Sequence, residues 1–244
     1  MPNRKTINAL RAGAVVGTIH SPGSLAAARE LSVGAVDFLE LRVDAFAAEP
    51  GQKSRLARLK QAVASLPAPL IVTVRDAREG GAVPLSAGAR RALFRDFMEH
   101  AALVDVELRW AARFSDLLQE AREGGAGVVL SHHDFRTTPP LERLEELARR
   151  AGDAGAAVFK VAATAGTAQA LSVLLQFLSA RGGGRRPELA VMGMGKFGKI
   201  SRLALGGAGS VLNYGYLHKL QVPGQWPAEQ LKQRLSELFE SEGA

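Results

Sequence analysis

The chain has 244 residues, 47% of them hydrophobic, enough for one sizeable core. It contains no cysteine, which excludes a disulfide framework and a thiolate metal site, and no apolar run approaches the length of a membrane span. The formal charge of +7 suits an anionic partner, but the pairs Arg90-Arg91, Arg149-Arg150 and Arg185-Arg186 are dispersed and aromatics make up only 6%, so nucleic acid is not the expected ligand.

The start, Met1 to Arg11, is polar and too poor in apolar residues for a signal peptide, so a cytoplasmic setting is expected. Ala14–His20 reads as the first strand. The Ser24–Ser32 segment reads as a helix with Ser24 as its N-cap. Val36–Val43 is the second strand, and Lys53–Ser65 is helical. Leu70–Arg75 is the third strand, followed by a loop over Asp76–Gly88 and a helix over Ala89–Ala101. Leu103–Leu108 is the fourth strand, with a helix over Ala111–Glu123. Gly127–Ser131 is the fifth, and Leu141–Ala151 is a strongly periodic helix. Ala156–Ala162 is the sixth strand, and Thr167–Ala180 is helical. Gly182–Pro187 reads as a solvated turn. Leu189–Met194 is the seventh strand, Ile200–Leu205 a short helix, Ser210–Tyr216 the eighth strand, and Pro227–Phe239 the last helix.

Eight strand–helix alternations with apolar strands point to a parallel sheet covered by helices. That number at this length predicts a closed (β/α)8 barrel in a single domain over residues 1–244. A doubly wound open sheet is the runner-up, since repeated βα units do not show closure.

The sixth strand holds a lysine, Lys160, inside an apolar run. Such an amine either snorkels to the strand end or sits in a pocket, where it can attack a ketone and form an iminium. In a barrel the site lies at the C-terminal ends of the strands, and the polar residues collect there. Strand two ends in Glu40-Leu41-Arg42-Val43-Asp44, and period 2 puts Glu40, Arg42 and Asp44 on one face. Arg75 ends strand three, with Glu79-Gly80-Gly81 just beyond. Asp105 and Glu107 share a face of strand four and read equally as structural ion-pair partners. Strand five runs into Ser131-His132-His133-Asp134-Phe135. Adjacent histidines on an extended strand point opposite ways, so a shared metal is not expected, and one histidine is expected to transfer protons.

Gly193-Met194-Gly195-Lys196-Phe197-Gly198 matches the dinucleotide fingerprint in form. No acidic residue follows at the required distance, so the glycines are read instead as allowing a tight turn and close approach to a ligand.

Taken together, these segments resemble the type I 3-dehydroquinate dehydratases. The match rests on Glu40-Leu41-Arg42-Val43-Asp44, Arg75 with Glu79-Gly80-Gly81, Asp105-Val106-Glu107-Leu108 and Ser131-His132-His133-Asp134-Phe135. It continues through Phe159-Lys160-Val161-Ala162, Ile200-Ser201-Arg202-Leu203 and Pro223-Gly224-Gln225. The resemblance implies a (β/α)8 barrel, a homodimer, no metal and no organic cofactor, and dehydration of 3-dehydroquinate to 3-dehydroshikimate. By that likeness Lys160 forms an imine with the substrate ketone. His133, not His132, is general base and acid, and Glu79 pairs with it. Glu40, Arg42 and Arg75 hold hydroxyls, while Arg202 and Gln225 hold the carboxylate. Many members carry a serine four residues before the final glutamine; here that position is Gln221, and it is carried over as a substrate-binding residue.

The apolar neighbours Val158, Phe159 and Val161 are expected to favour the neutral amine, and Glu79 to raise the basicity of His133. Pro223-Gly224-Gln225 is a candidate lid. A lysine-imine aldolase with a phosphate on Gly193–Gly198 and Gly206-Gly207, and a non-catalytic anion-binding protein, are the alternatives.

Overall fold

Period-2 apolar runs become strands here, and the strands close on themselves. The computed structural model describes residues 10–47, 52–180 and 187–239. The strands are β1 (Val15–Ile19), β2 (Phe38–Arg42), β3 (Leu70–Thr73), β4 (Ala101–Glu107), β5 (Gly127–Asp134), β6 (Val158–Thr164), β7 (Glu188–Met194) and β8 (Asn213–Tyr216). Around them lie α1 (Pro22–Glu30), α2 (Val43–Ala47), α3 (Gln52–Val63), α4 (Ala87–Phe97), α5 (Ser115–Glu123), α6 (Leu141–Asp153), α7 (Ala168–Ser179), α8 (Gly198–Gly207) and α9 (Ala228–Phe239).

All ladders are parallel, in the order β7-β6-β5-β4-β3-β2-β1-β8. Because β1 pairs with both β2 and β8, the sheet curls round into a nearly closed (β/α)8 barrel, and the open doubly wound alternative fails. The remaining seam lies between β7 and β8. The Val211 amide donates to the Leu189 carbonyl at 3.0 Å across it, and Ser210 Oγ accepts from the Val191 amide at 2.9 Å. Arg202, on α8, spans the same seam higher up. Its Nε donates to the Tyr214 carbonyl at 2.9 Å and its Nη1 to the Gly193 carbonyl at 2.8 Å.

Alternation sorts the side chains. Phe159 and Val161 pack outward against the helices with Phe177 and Leu174, whereas Val158 and Ala162 face the lumen with Val16, Phe38, Ile71, Leu103 and Val129. One step further along the strands the lumen turns polar, with Glu40, Thr73, Asp105, Ser131 and Lys160 all buried.

Several boundaries shift for local reasons. Ser21, not Ser24, is the N-cap of α1; it accepts from the Ser24 amide at 3.2 Å, and Ser24 Oγ returns the bond to the Ser21 amide at 2.9 Å. β5 runs on through His132, His133 and Asp134, polar residues that an apolarity criterion cuts off. Val43–Ala47 turns helical immediately after β2, so Asp44 is not a strand residue. The helix expected to reach Ala101 ends at Phe97, a 3₁₀ turn follows over Met98–His100, and Ala101 opens β4. The helix expected from Ala111 begins at Ser115. Ser210–Leu212 precede β8 instead of belonging to it. The turn expected at Gly182–Pro187 lies, apart from Pro187, outside the described residues. Among the described residues, no helix is long and apolar enough to cross a membrane.

Candidate active site

Register decides which polar side chains meet. Thr73 is level with Asp105, Glu107 with Ser131, and Ser131 with Lys160. These inward-facing neighbours form one buried network. Asp105 is its hub: Oδ2 accepts from Lys160 Nζ at 2.7 Å and from Arg75 Nη2 at 2.8 Å, and Oδ1 accepts from Ser131 Oγ at 2.6 Å. Glu40 Oε1 lies 3.5 Å from Lys160 Nζ and accepts from Thr73 Oγ1 at 3.0 Å. Glu107 takes Arg75 Nη1 at 3.3 Å on one oxygen and Arg90 on the other.

Burial works against a charge on Asp105, but Arg75 and Lys160 outweigh it and hold the carboxyl well below the usual carboxylate range. Burial likewise opposes the charge on Arg75, and Asp105 and Glu107 more than restore it. The apolar slot expected around Lys160 is therefore not what the barrel provides. Phe159 and Val161 face away, and the amine rests in an ion pair with Asp105.

His133 and Glu79 meet from different elements. Glu79 ends a 3₁₀ turn over Ala77–Glu79, and one of its oxygens, Oε2, lies 3.0 Å from both the His133 amide and its Nδ1. Asp44 ties that loop down, accepting from the Arg75 and Ala82 amides and from both nitrogens of the Arg42 fork. Burial, and then the charge of Glu107, raise the Glu79 carboxyl to about 7. Burial, then Arg75 and Lys160, hold the His133 imidazole well below its ordinary value, so it is neutral at pH 7. The expected gain in basicity is overridden by these surroundings. What Glu79 does supply is orientation: its Oε2 lies 3.0 Å from Nδ1, and in the tautomer that carries its proton on Nδ1 the imidazole keeps a lone pair on Nε2. His132 points elsewhere and does not border the cavity. Among the described residues no group of three acidic or histidine side chains could hold a metal.

A cavity of about 490 Å³ opens at the C-terminal mouth of the barrel. The nine residues to which the resemblance assigns a catalytic or substrate-binding role all border it: Glu40, Arg42, Arg75, Glu79, His133, Lys160, Arg202, Gln221 and Gln225. Thr18, His20 and Tyr214 border it too, without having been singled out. Thr18 and Tyr214 lie on β1 and β8, where a strict alternation count would have turned them inward.

On the far wall Arg202 is buried, and its Nη1 donates to the carbonyls of Gly193, Gly198 and Gly224. Among the described residues it has no acidic partner, and burial alone lowers its pKa to about 10. Gln225 Oε1 accepts from the Gln221 amide at 3.1 Å, and the Gly195 amide donates to the Pro223 carbonyl at 3.0 Å, so the 221–225 loop is folded down. Of the glycines in Gly193–Gly198, Gly198 serves that contact, since a Cβ on it would fall 2.7 Å from Gly224 Cα, and Gly195 turns the chain at φ +75°.

Comparison with known proteins decides the lineage. The family model for type I 3-dehydroquinase matches residues 19–242. The chain belongs to the type I 3-dehydroquinase family. It is similar to the 3-dehydroquinate dehydratase of Geobacillus thermodenitrificans, with 32% identity over 219 residues, 88% of this chain and 85% of that one. The crystal structure of the 3-dehydroquinate dehydratase from Geobacillus kaustophilus superposes with a TM-score of 0.81 at 28% identity, covering 94% of this chain and 92% of that chain. A type I 3-dehydroquinate dehydratase from Clostridium difficile, solved with covalently modified comenic acid, also gives 0.81, at 26% identity over 93% of this chain and 92% of that chain. The chain is thus an enzyme of the type I 3-dehydroquinase family, a hydro-lyase.

Proposed function

We propose that the enzyme dehydrates 3-dehydroquinate to 3-dehydroshikimate through an imine on Lys160, with His133 moving the protons. The observation that carries this reading is convergence: the amine of Lys160, the neutral imidazole of His133 and the acid-free guanidinium of Arg202 all border one cavity.

A ketone is a modest electron sink, and an iminium is a better one. Attack by Lys160 on the ketone converts one into the other and acidifies the neighbouring C2–H. Nε2 of His133 takes that proton and returns one to the hydroxyl that leaves the next carbon. Transfer of this kind is worth about 10²–10⁴ in rate. Glu79 fixes the ring that does it. Arg202 is a buried cation that lacks a counter-ion among the described residues, which suits a carboxylate arriving with the substrate. Gln225 and Gln221 close over that end. Glu40 and Arg42 have acceptor and donor atoms at the rim for hydroxyls. Arg75 is already committed to Asp105, Glu107 and Ser131, so its contribution to hydroxyl binding runs largely through the carboxylates it holds. A homodimer and a cytoplasmic setting belong to the same proposal.

Borohydride added with 3-dehydroquinate tests the reading by intact mass. A stable adduct on the peptide containing Lys160, absent in Lys160→Met, is the expected result. Turnover, followed by the ultraviolet absorbance of the conjugated product, without any adduct would discard the covalent route. Trapping only of a phosphorylated sugar would favour the aldolase.

A further inference from the structure

The mechanism above leaves Tyr214 without a task. Its side chain lies in the barrel lumen, 4% exposed, and borders the cavity. Lys160 Nζ stands 4.0 Å from the centre of its ring, a distance at which the ring face attracts the ammonium. The phenolic oxygen is shut off from solvent and has no hydrogen-bond partner among the described residues.

An unpaired buried hydroxyl costs stability, and phenylalanine would fill the same space without that cost. Three nearby carboxylate oxygens already accept other donors. Glu40 Oε1 accepts from Thr73, Asp105 Oδ1 from Ser131 and Arg75, and Asp105 Oδ2 from Lys160 and Arg75. Burial, followed by the charges of Glu40 and Asp105, raises the phenol well above its ordinary pKa, so it keeps its proton. The result is a neutral phenol whose ring lies against the nucleophile and whose O–H is uncommitted.

The oxygen that comes to Lys160 is the oxygen of the ketone. We propose that Tyr214 is a catalytic residue of carbonyl addition, donating its O–H as a hydrogen bond to the ketone oxygen while Lys160 attacks. The proposal rests on the imine reading given above. Nζ, having released a proton from its ammonium, forms the C–N bond, and the π pair moves onto oxygen. Tyr214 stabilises that charge without surrendering its proton, as a preorganised oxyanion donor does. A nitrogen-bound proton then moves to the oxygen. The nitrogen lone pair forms C=N as the C–O bond breaks, and the proton first released completes the departing water. Ammonium plus ketone becomes iminium plus water, with no other reactant.

Tyr214→Phe keeps the ring and removes the hydroxyl. The wild type and this variant are mixed with 3-dehydroquinate, quenched with borohydride at increasing times and weighed. The expected result is adduct formation slowed by about 10²–10³-fold. As addition becomes the slow step, the isotope effect of C2-deuterated substrate on kcat/KM should shrink toward unity, which a displaced His133 would not produce. The melting temperature should equal or exceed that of the wild type, since only an unpaired group is lost. Trapping at the wild-type rate would overturn the proposal and leave the imine reading intact. A lowered melting temperature with unchanged trapping would assign the hydroxyl a resting partner and overturn it as well. Absence of any adduct in the wild type would instead sink the imine reading underneath.

Discussion

Asp105→Asn tests whether the polar lumen is a charge-balanced unit. Three cations, Lys160, Arg75 and Arg90, meet three carboxylates, Glu40, Asp105 and Glu107, and the side chains of all six are at most 5% exposed. Asparagine preserves shape and one acceptor but leaves three buried cations facing two anions. Removing one member of a buried ion pair typically costs about 3–5 kcal/mol, because the remaining charge stays desolvated. At roughly 2–4 °C per kcal/mol for a chain of this size, the melting temperature should fall by roughly 6–20 °C. The check is a thermal melt followed by circular dichroism at pH 7, with Asp153→Asn as the control. Asp153 pairs with Arg149 at 2.8 Å on the surface, where such a pair is worth about 1 kcal/mol or less. If Asp105→Asn melts within about 2 °C of the control, the reasoning that makes Asp105 the hub is refuted.

Three further expectations concern the site. His133→Ala should lower kcat by about 10²–10⁴ while borohydride still traps the adduct; loss of trapping would mean that His133 acts earlier than proton abstraction. Glu79→Gln probes the carboxyl whose pKa is raised from 4.5 to about 7. A raised acid stabilises the fold below pH 4.5 and gives that contribution up as pH climbs to about 7, so the variant should gain on the wild type across that window. A melting-temperature difference that is flat with pH would contradict it. Arg202→Met removes both seam bonds and the acid-free cation. It should raise KM and lower the melting temperature together, and a change in KM alone would separate the two roles.

Alternation made much of the lumen legible, because a polar residue at every second position of an apolar strand declares a face. Glu40, Asp105, Glu107 and Lys160 were readable for that reason. What alternation cannot supply is register, which pairs Thr73 with Asp105 and Ser131 with Lys160 across the barrel. Hence Lys160 looked apolar from its neighbours along the chain and proved ion-paired across it. His133 was visible as chemistry, but its lowered pKa comes from burial and from Arg75 and Lys160, residues far away in sequence. Tyr214 escaped because an aromatic in an apolar strand reads as ordinary core, although alternation along β8 turns it inward.

The place where the barrel is least stitched is not where the two ends of the sheet's numbering meet, since β1 and β8 share a regular ladder. It lies between β7 and β8, consecutive strands tethered by α8. Breathing at that gap would pull Tyr214 and the Gly193 carbonyl apart, so the rim of the cavity would open first and the floor of the barrel last. Deuterium uptake should accordingly run fastest along the top of those two strands, and occupancy of the pocket should slow it there before anywhere else.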